Sequence, residues 1–357
     1  MRTLLISATV VASLVMAAML AVGPSPGSAD ACAGLIGSNG AVNLGRTTTL
    51  AAYQDGVEHY VTSFEFAGGG GEFGTLIPLP GIPSNIERGG DWTLQRLQQE
   101  VPPEFAAFSG VGGSSTAAED RAEVIQEVRI DALDLTVLKG GAPDVAAWAT
   151  DHGFRLSPDA PEVLDFYARR SPIFLAAVFD GQAAADRGQA LGDGTPVHLT
   201  IPTPNPWVPL RILGLGKQDE DFVQADVFLL TENEPNLLPK VSNGLFLQHS
   251  AQATDLLLSD LRSDKGMEWV ADSAWLTKLV VSSPTVDLKY DLAVDATGTK
   301  QPSRVAAGLE QPIGLPQTGS DSGGSSDPLS VLGWVALTAA VLAIATVVLA
   351  PRFGRGR

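Results

Sequence analysis

Cysteine is all but missing from this chain. Cys32 is the one thiol among 357 residues, so no internal disulfide can form and stability must rest on a packed core. Histidine is scarce: four residues, at 59, 152, 198 and 249, none spaced with another as metal ligands and none in an H-E-x-x-H. No Gly-Lys-Ser/Thr closes a glycine loop, which excludes a P-loop, and no G-x-S-x-G elbow offers a nucleophile. Gly69, Gly71 and Gly74 have G-x-G-x-x-G spacing, but Pro78, Pro80 and Pro83 stand where a dinucleotide site needs a helix N-terminus. Asp131/Asp134, Asp219/Glu220/Asp221 and Glu232/Glu234 lack calcium-loop spacing and read as solvated loops. The residues therefore predict no catalytic group, no metal and no cofactor.

Positive charge is also short. The chain has 23 Lys and Arg against 40 Asp and Glu, a net charge of −17. Arg352, Arg355 and Arg357 lie in the last seven residues, and without the two ends the remaining chain carries −20. Such acidity argues against nucleic acid and anionic membrane surfaces as partners.

What the chain does have is two apolar ends. Arg2 precedes an apolar stretch from Thr3 to Val22, and Ala29-Asp30-Ala31 supplies an A-x-A site. Residues 1–31 read as a secretory signal peptide cleaved between Ala31 and Cys32. Residues 329–350 are uncharged and span a bilayer as a helix, with the basic tail 351–357 on the cytoplasmic side. Ahead of them stands Leu315-Pro316-Gln317-Thr318-Gly319. LPQTG, an apolar span and a basic end resemble the sorting signal of Gram-positive surface proteins. That resemblance implies cleavage between Thr318 and Gly319 by a sortase and attachment to peptidoglycan. The nine-residue spacer from Ser320 to Pro328 is longer than such signals carry, which keeps a retained single-span anchor open as the alternative.

Between the ends, alternation marks strands at 47–54 and 57–66, joined by Asp55-Gly56, a hairpin signal. Thr75–Ile77 reads as an edge strand, and Asp91 as the cap of a helix from Trp92 to Val101. His59, opposite in phase to Tyr60, reads as exposed. Residues 109–120 read as a flexible loop. Strands follow over 124–138, with a phase change after Ile130. Pro143 opens a helix stopped by Gly153, and Ser157 caps another over 158–170. Further strands fall at 173–179, 196–201, 208–215, 222–231, 245–249 and 286–294, and Thr254 caps a helix through Leu261. Residues 275–281 fit strand or helix. The fold class is α+β, a mostly antiparallel sheet with several short helices, plus one C-terminal transmembrane helix. The folded domain is expected over 32–294 and a disordered stalk over 295–328. Trp207, in the turn PTPNPW, is the best exposed aromatic for ligand binding.

Ala31-Cys32-Ala33-Gly34, the hairpin, FGTLIPLPGIP and DWTLQRLQ together resemble an exported bacterial family known as domain of unknown function 2330. YARRSPIFLAAVF and PTPNPWVPLRI extend the resemblance over about residues 31–250. It implies export and, in many members, a membrane span, but no activity. The expectation is an extracellular cell-envelope protein that binds a glycan or protein and is anchored to wall or membrane. The alternative is an anchored hydrolase acting on envelope polymers.

Overall fold

A computed structural model describes residues 34–37, 47–65, 73–102, 122–189, 194–242 and 244–311. The chain divides into two units, Met1–Ile313 and Gly314–Arg357. All described residues lie in the first. The signal peptide with Ala31 and Cys32, the loop 109–120, LPQTG, the span 329–350 and the basic tail lie outside the described residues. Among the described residues no helix is long and apolar enough to cross a membrane.

Four layers stack as helices, sheet, sheet, helices. The larger sheet has seven strands. Its middle is the hairpin β2 (Thr47–Gln54) and β3 (Val57–Glu65), turned by Asp55 and Gly56 with φ of 53° and 80°. Two adjacent positive φ values give the turn whose twist matches the strands it joins. The strand order is β13 (Leu245–Gln252), β14 (Trp275–Pro284), β11 (Phe222–Thr231), β2, β3, β9 (Gly194–Pro202), β5 (Asn85–Arg88). Every pair is antiparallel except β11 with β2.

The second sheet is fully antiparallel, in the order β1 (Gly34–Gly37), β4 (Phe73–Pro78), β8 (Ile173–Phe179), β7 (Leu133–Lys139), β6 (Glu123–Ile130). Tyr60, Phe64, Leu199 and Leu229 of the large sheet meet Ile77, Leu135, Leu175 and Phe179 of the second. The outer face of the large sheet is covered by α1 (Thr93–Glu100) and α5 (Asp255–Ser263), through Leu97, Leu257 and Leu261. The outer face of the second lies under α2 (Ala142–Asp151) and α3 (Ala160–Ala168), through Trp148 and Leu164. With both faces covered, β8 has no need to alternate, hence its continuous IFLAAVF. A short helix α4 (Gly181–Asp186) follows β8, and β10 (Trp207–Val208), β15 (Leu292–Asp295) and β12 (Asn236–Leu238) form a small third sheet.

Several local expectations are corrected. β4 is interior, bonded to β1 and β8, because its prolines fall at its end and beyond it. Of residues 208–215 only Val208 is strand, ending the two-residue Trp207–Val208, and a 3-10 turn, Arg211–Gly214, follows; 286–294 likewise break after Thr285–Asp287. Ser157 caps nothing, and its hydroxyl is buried without a partner. The stalk does not begin at Asp295: Ala306 and Ala307 are in the core, and Ala307 O accepts the Asp291 N–H at 3.1 Å.

Asp91 does not cap α1. Asp264, at the end of α5, does so across the fold, accepting from the N–H of Asp91 (3.1 Å) and of Trp92 (2.9 Å) and from the Thr93 hydroxyl (2.8 Å). Asp264→Ala is expected to cost about 2 kcal/mol, the upper range for a cap, read by chemical denaturation. A loss under about 0.5 kcal/mol would show that water replaces the carboxylate freely.

Candidate functional site

One end of the large sheet, around the β2–β3 hairpin, gathers polar side chains on both faces. On the helix-covered face, β3, β9 and β5 place His59, His198 and Glu87 in a row. Glu87 stands opposite His198 in the β5–β9 register, and His198 opposite Val61 in β9–β3. Glu87 Oε1 lies 3.1 Å from His198 Nδ1, and His198 Nε2 lies 2.9 Å from His59 Nδ1. The carboxylate only accepts, so His198 carries its proton on Nδ1 and Nε2 receives the His59 Nδ1–H. His59 Nε2 is left as an acceptor at the end of the chain. Trp269, in the segment after α5, covers both rings: its indole is 4.1 Å from the His59 centroid, nearly parallel at 6°, and 4.9 Å from His198.

Burial sets the charge of this row. Desolvation pushes both imidazoles down to about 4, with His198 adding to the depression of His59 and Glu87 opposing it weakly. Both rings are therefore neutral at pH 7. In the unfolded chain they protonate near 6.5. Their contribution to stability is complete above that pH and is lost as pH falls toward 4. Two of the ring NMR signals are expected to show no titration between pH 8 and 5, and His59→Asn with His198→Gln should flatten the acid-unfolding slope. Titration of all four histidines near 6.5 would contradict the buried stack.

His59 and Trp269 line a pocket of about 50 Å³ with Tyr53, Thr231, Glu232 and Ser273. The Trp269 indole N–H is buried without a partner. Tyr53 and Thr231 also line a second pocket of about 10 Å³, between the large sheet and the small one, with Glu58, Pro206, Trp207 and Val294. Glu58 is 1 % exposed, and neither carboxyl oxygen has a hydrogen-bond partner. Burial pushes its pKa up to about 8, and the Trp207 backbone amide, which approaches without closing a bond, is the one group pulling it down. Burial first, then Glu58, Glu232 and Asp295, also raises the Tyr53 hydroxyl, which donates to Thr203 O at 2.8 Å.

Two sequence expectations are corrected here. His59 is not on the open surface but half-buried under Trp269, because α5 and the segment after it roof this face. Trp207 is not an exposed platform: it is 3 % exposed, stacked on Tyr167 at 5.7 Å with the Arg170 guanidinium 4.8 Å above its ring. Asp131 pairs with Arg88 and Arg187, and Asp134, on β7, pairs with Arg129. His152 ends α2, stacked on Trp148. Among the described residues no three His, Cys, Asp or Glu side chains are placed to hold a metal ion. Glu58 was detectable in the sequence, since it shares the phase of Tyr60 and Phe64 and so puts a charge on the core face. The His59–His198 contact, 139 residues apart in the chain, had no local signal.

The family model described as an uncharacterized protein conserved in bacteria, domain of unknown function 2330, matches residues 26–232. No curated protein matches. Among solved structures, a mutated baculovirus P35 after caspase cleavage is 7% identical, with a TM-score of 0.37 over 71% of this chain and 98% of that one. Baculovirus P35 in another crystal structure is 8% identical, with a TM-score of 0.36 over 71% and 97%. Likeness at that level carries nothing further.

Proposed function

The chain belongs to this bacterial family, which brings no activity with it, and from its own residues we propose a binding module displayed on the cell envelope. In this reading residues 1–31 direct export. Residues 329–350 hold the chain until a sortase joins Thr318 to the wall, and the folded unit then binds an envelope ligand. The observation that carries the binding reading is the pair of adjoining pockets that share Tyr53 and Thr231. They offer polar groups without partners, the Glu58 carboxyl and the Trp269 indole N–H. At about 50 Å³ the larger is far below the ~300–1,000 Å³ of sites that engulf a small substrate. It suits a group projecting from a larger ligand.

One observation favours the hydrolase alternative, the Glu87–His198–His59 row, since a carboxylate orienting a histidine recurs in nucleophilic catalysis. Against it, an imidazole pushed down to about 4 is a weak base at neutral pH. Among the described residues the hydrogen bond found on His59 is to His198, not to a hydroxyl.

Two measurements test the proposal. Mass spectrometry of protein released from purified wall should find Thr318 linked to a wall peptide; full detergent extraction with Arg357 intact would end the sortase reading. The full chain in detergent should cosediment with purified wall polymer. Failure to do so over a range of salt concentrations would end the binding reading.

A further inference from the structure

We infer that Glu58 is the floor of a socket for a primary ammonium group carried by the ligand. The inference rests on the binding reading above and deepens it by naming the chemistry that the second pocket takes.

A carboxyl group this deep is normally paired or hydrogen-bonded. Here neither oxygen is, and among the described residues no Lys, Arg or His forms an ion pair with Glu58. Once ionised the carboxylate only accepts, so a partner that stabilises it must supply hydrogen-bond donors. The pocket has room for one water-sized group, and an –NH₃⁺ head is about that size. Its walls suit a cation. Tyr53 lines it, and an aromatic face attracts an ammonium group. The surrounding charge is negative: Glu232 beyond β11 and Asp295 at the end of β15 act together with Glu58 on the Tyr53 hydroxyl. A guanidinium is too wide for the space, and an anion would meet three carboxyl groups. An ammonium stem leaving the mouth would pass Tyr53 and Thr231, the residues shared with the larger pocket.

Seating the cation ionises the carboxyl. In the empty chain Glu58 holds its proton up to about pH 8; the ammonium needs the carboxylate, so that proton leaves to solvent on binding. Below about pH 8 affinity should therefore climb roughly tenfold per pH unit as the proton becomes easier to lose, and level off above it.

The test uses the full chain in detergent micelles and butylammonium chloride as the probe, followed by ligand-observed NMR, with N-butylacetamide as the uncharged control. The expected result is binding of the ammonium alone. It should tighten about tenfold per unit between pH 6 and 8 and weaken at least tenfold in Glu58→Gln. The pH series on the unaltered protein stands even if the variant folds poorly. Equal binding of the amide, a flat pH dependence, or an unchanged Glu58→Gln with native melting would each overturn the inference. Cosedimentation with wall polymer before and after acetylation of its amines separates the two levels. Sedimentation that survives acetylation keeps the binding module and removes the ammonium socket. Butylammonium binding without sedimentation keeps the socket and removes the wall as its source.

Discussion

Asp291→Asn should lower the stability of the folded unit by about 4 kcal/mol, within the range for removing one partner of a buried ion pair. Asp291 is fully buried, and its carboxylate collects four donors from two distant segments of the chain. Arg170, its ion-pair partner from the end of α3, is 4 % exposed in its side chain. The Tyr167 hydroxyl donates at 2.8 Å, and the N–H groups of Leu210 and Arg211 at 2.7 and 3.0 Å. Tyr167 in turn accepts the Ile212 N–H at 2.8 Å. The amide of Asn would turn an –NH₂ toward groups that only donate, and the guanidinium would lose its counter-charge.

Arg170→Met should cost less, about 2 kcal/mol. It leaves the carboxylate with three uncharged donors, and the thioether can fill the space between Phe166, Tyr167 and Trp207 where the guanidinium now lies. Denaturant titration of both variants checks the order. Equal losses, or a loss for Asp291→Asn under about 1 kcal/mol, would mean that the cluster is not a single buried network.

This cluster shows how far the sequence could be read. YARRSPIFLAAVF and PTPNPWVPLRI are two of the stretches that carry the family resemblance, and they meet here: Tyr167 and Arg170 from the first, Trp207, Leu210, Arg211 and Ile212 from the second. Their aromatic and proline pattern was visible, and it encodes a buried polar joint, not a surface for a ligand. Asp291 lies beyond the matched residues 26–232. So does β14, which sits inside the large sheet between β13 and β11. The folded unit therefore needs about sixty residues past the match.

The strands were legible where one physical rule governed them. Asp55-Gly56 set a hairpin, and β8 and β11 were found at their observed ends because long apolar runs bounded by turns admit little else. Legibility failed where a distant group substituted for a local one. Asp264 caps α1 from 171 residues away at Thr93, which made the nearer Asp91 look like the cap. Lys278 and Asp226, both fully buried, pair at 3.4 Å inside the large sheet, with Lys278 also donating to Val101 O at 2.6 Å. In sequence they are two charges in apolar strands with nothing to connect them. The pockets belong to this second kind. Glu58, Trp207 and Val294 come from three strands of two sheets, and only the tertiary fold makes them neighbours.

Glu58→Met should raise stability by about 3 kcal/mol at pH 7, the reverse of most core substitutions. The sign follows from the protons. The unfolded carboxyl ionises near 4.5, and the folded one holds its proton to about 8. Below 4.5 both states are protonated and ionisation costs the fold nothing. As pH rises from 4.5 to 8 the unfolded chain gives up a proton that the folded chain keeps, so stability falls by about 1.4 kcal/mol per unit and then levels off. Met is close to Glu in volume and removes the penalty with the group. His59 and His198 act in the opposite direction and lower: their contribution falls as pH drops from 6.5 toward 4. They are present in both proteins and cancel in the difference. Between pH 6.5 and 8 they are also silent in each. The stability difference between Glu58→Met and the unaltered protein should therefore grow with pH across that window, and denaturant titrations at pH 6.5, 7.25 and 8 read it. A difference independent of pH would mean that Glu58 titrates normally and that the pocket beneath Tyr53 is open to water. A growing one would show that the fold carries an unpaired carboxyl at a cost, as expected of a group kept for a ligand and not for the core. The same variant should then lose butylammonium binding while melting higher.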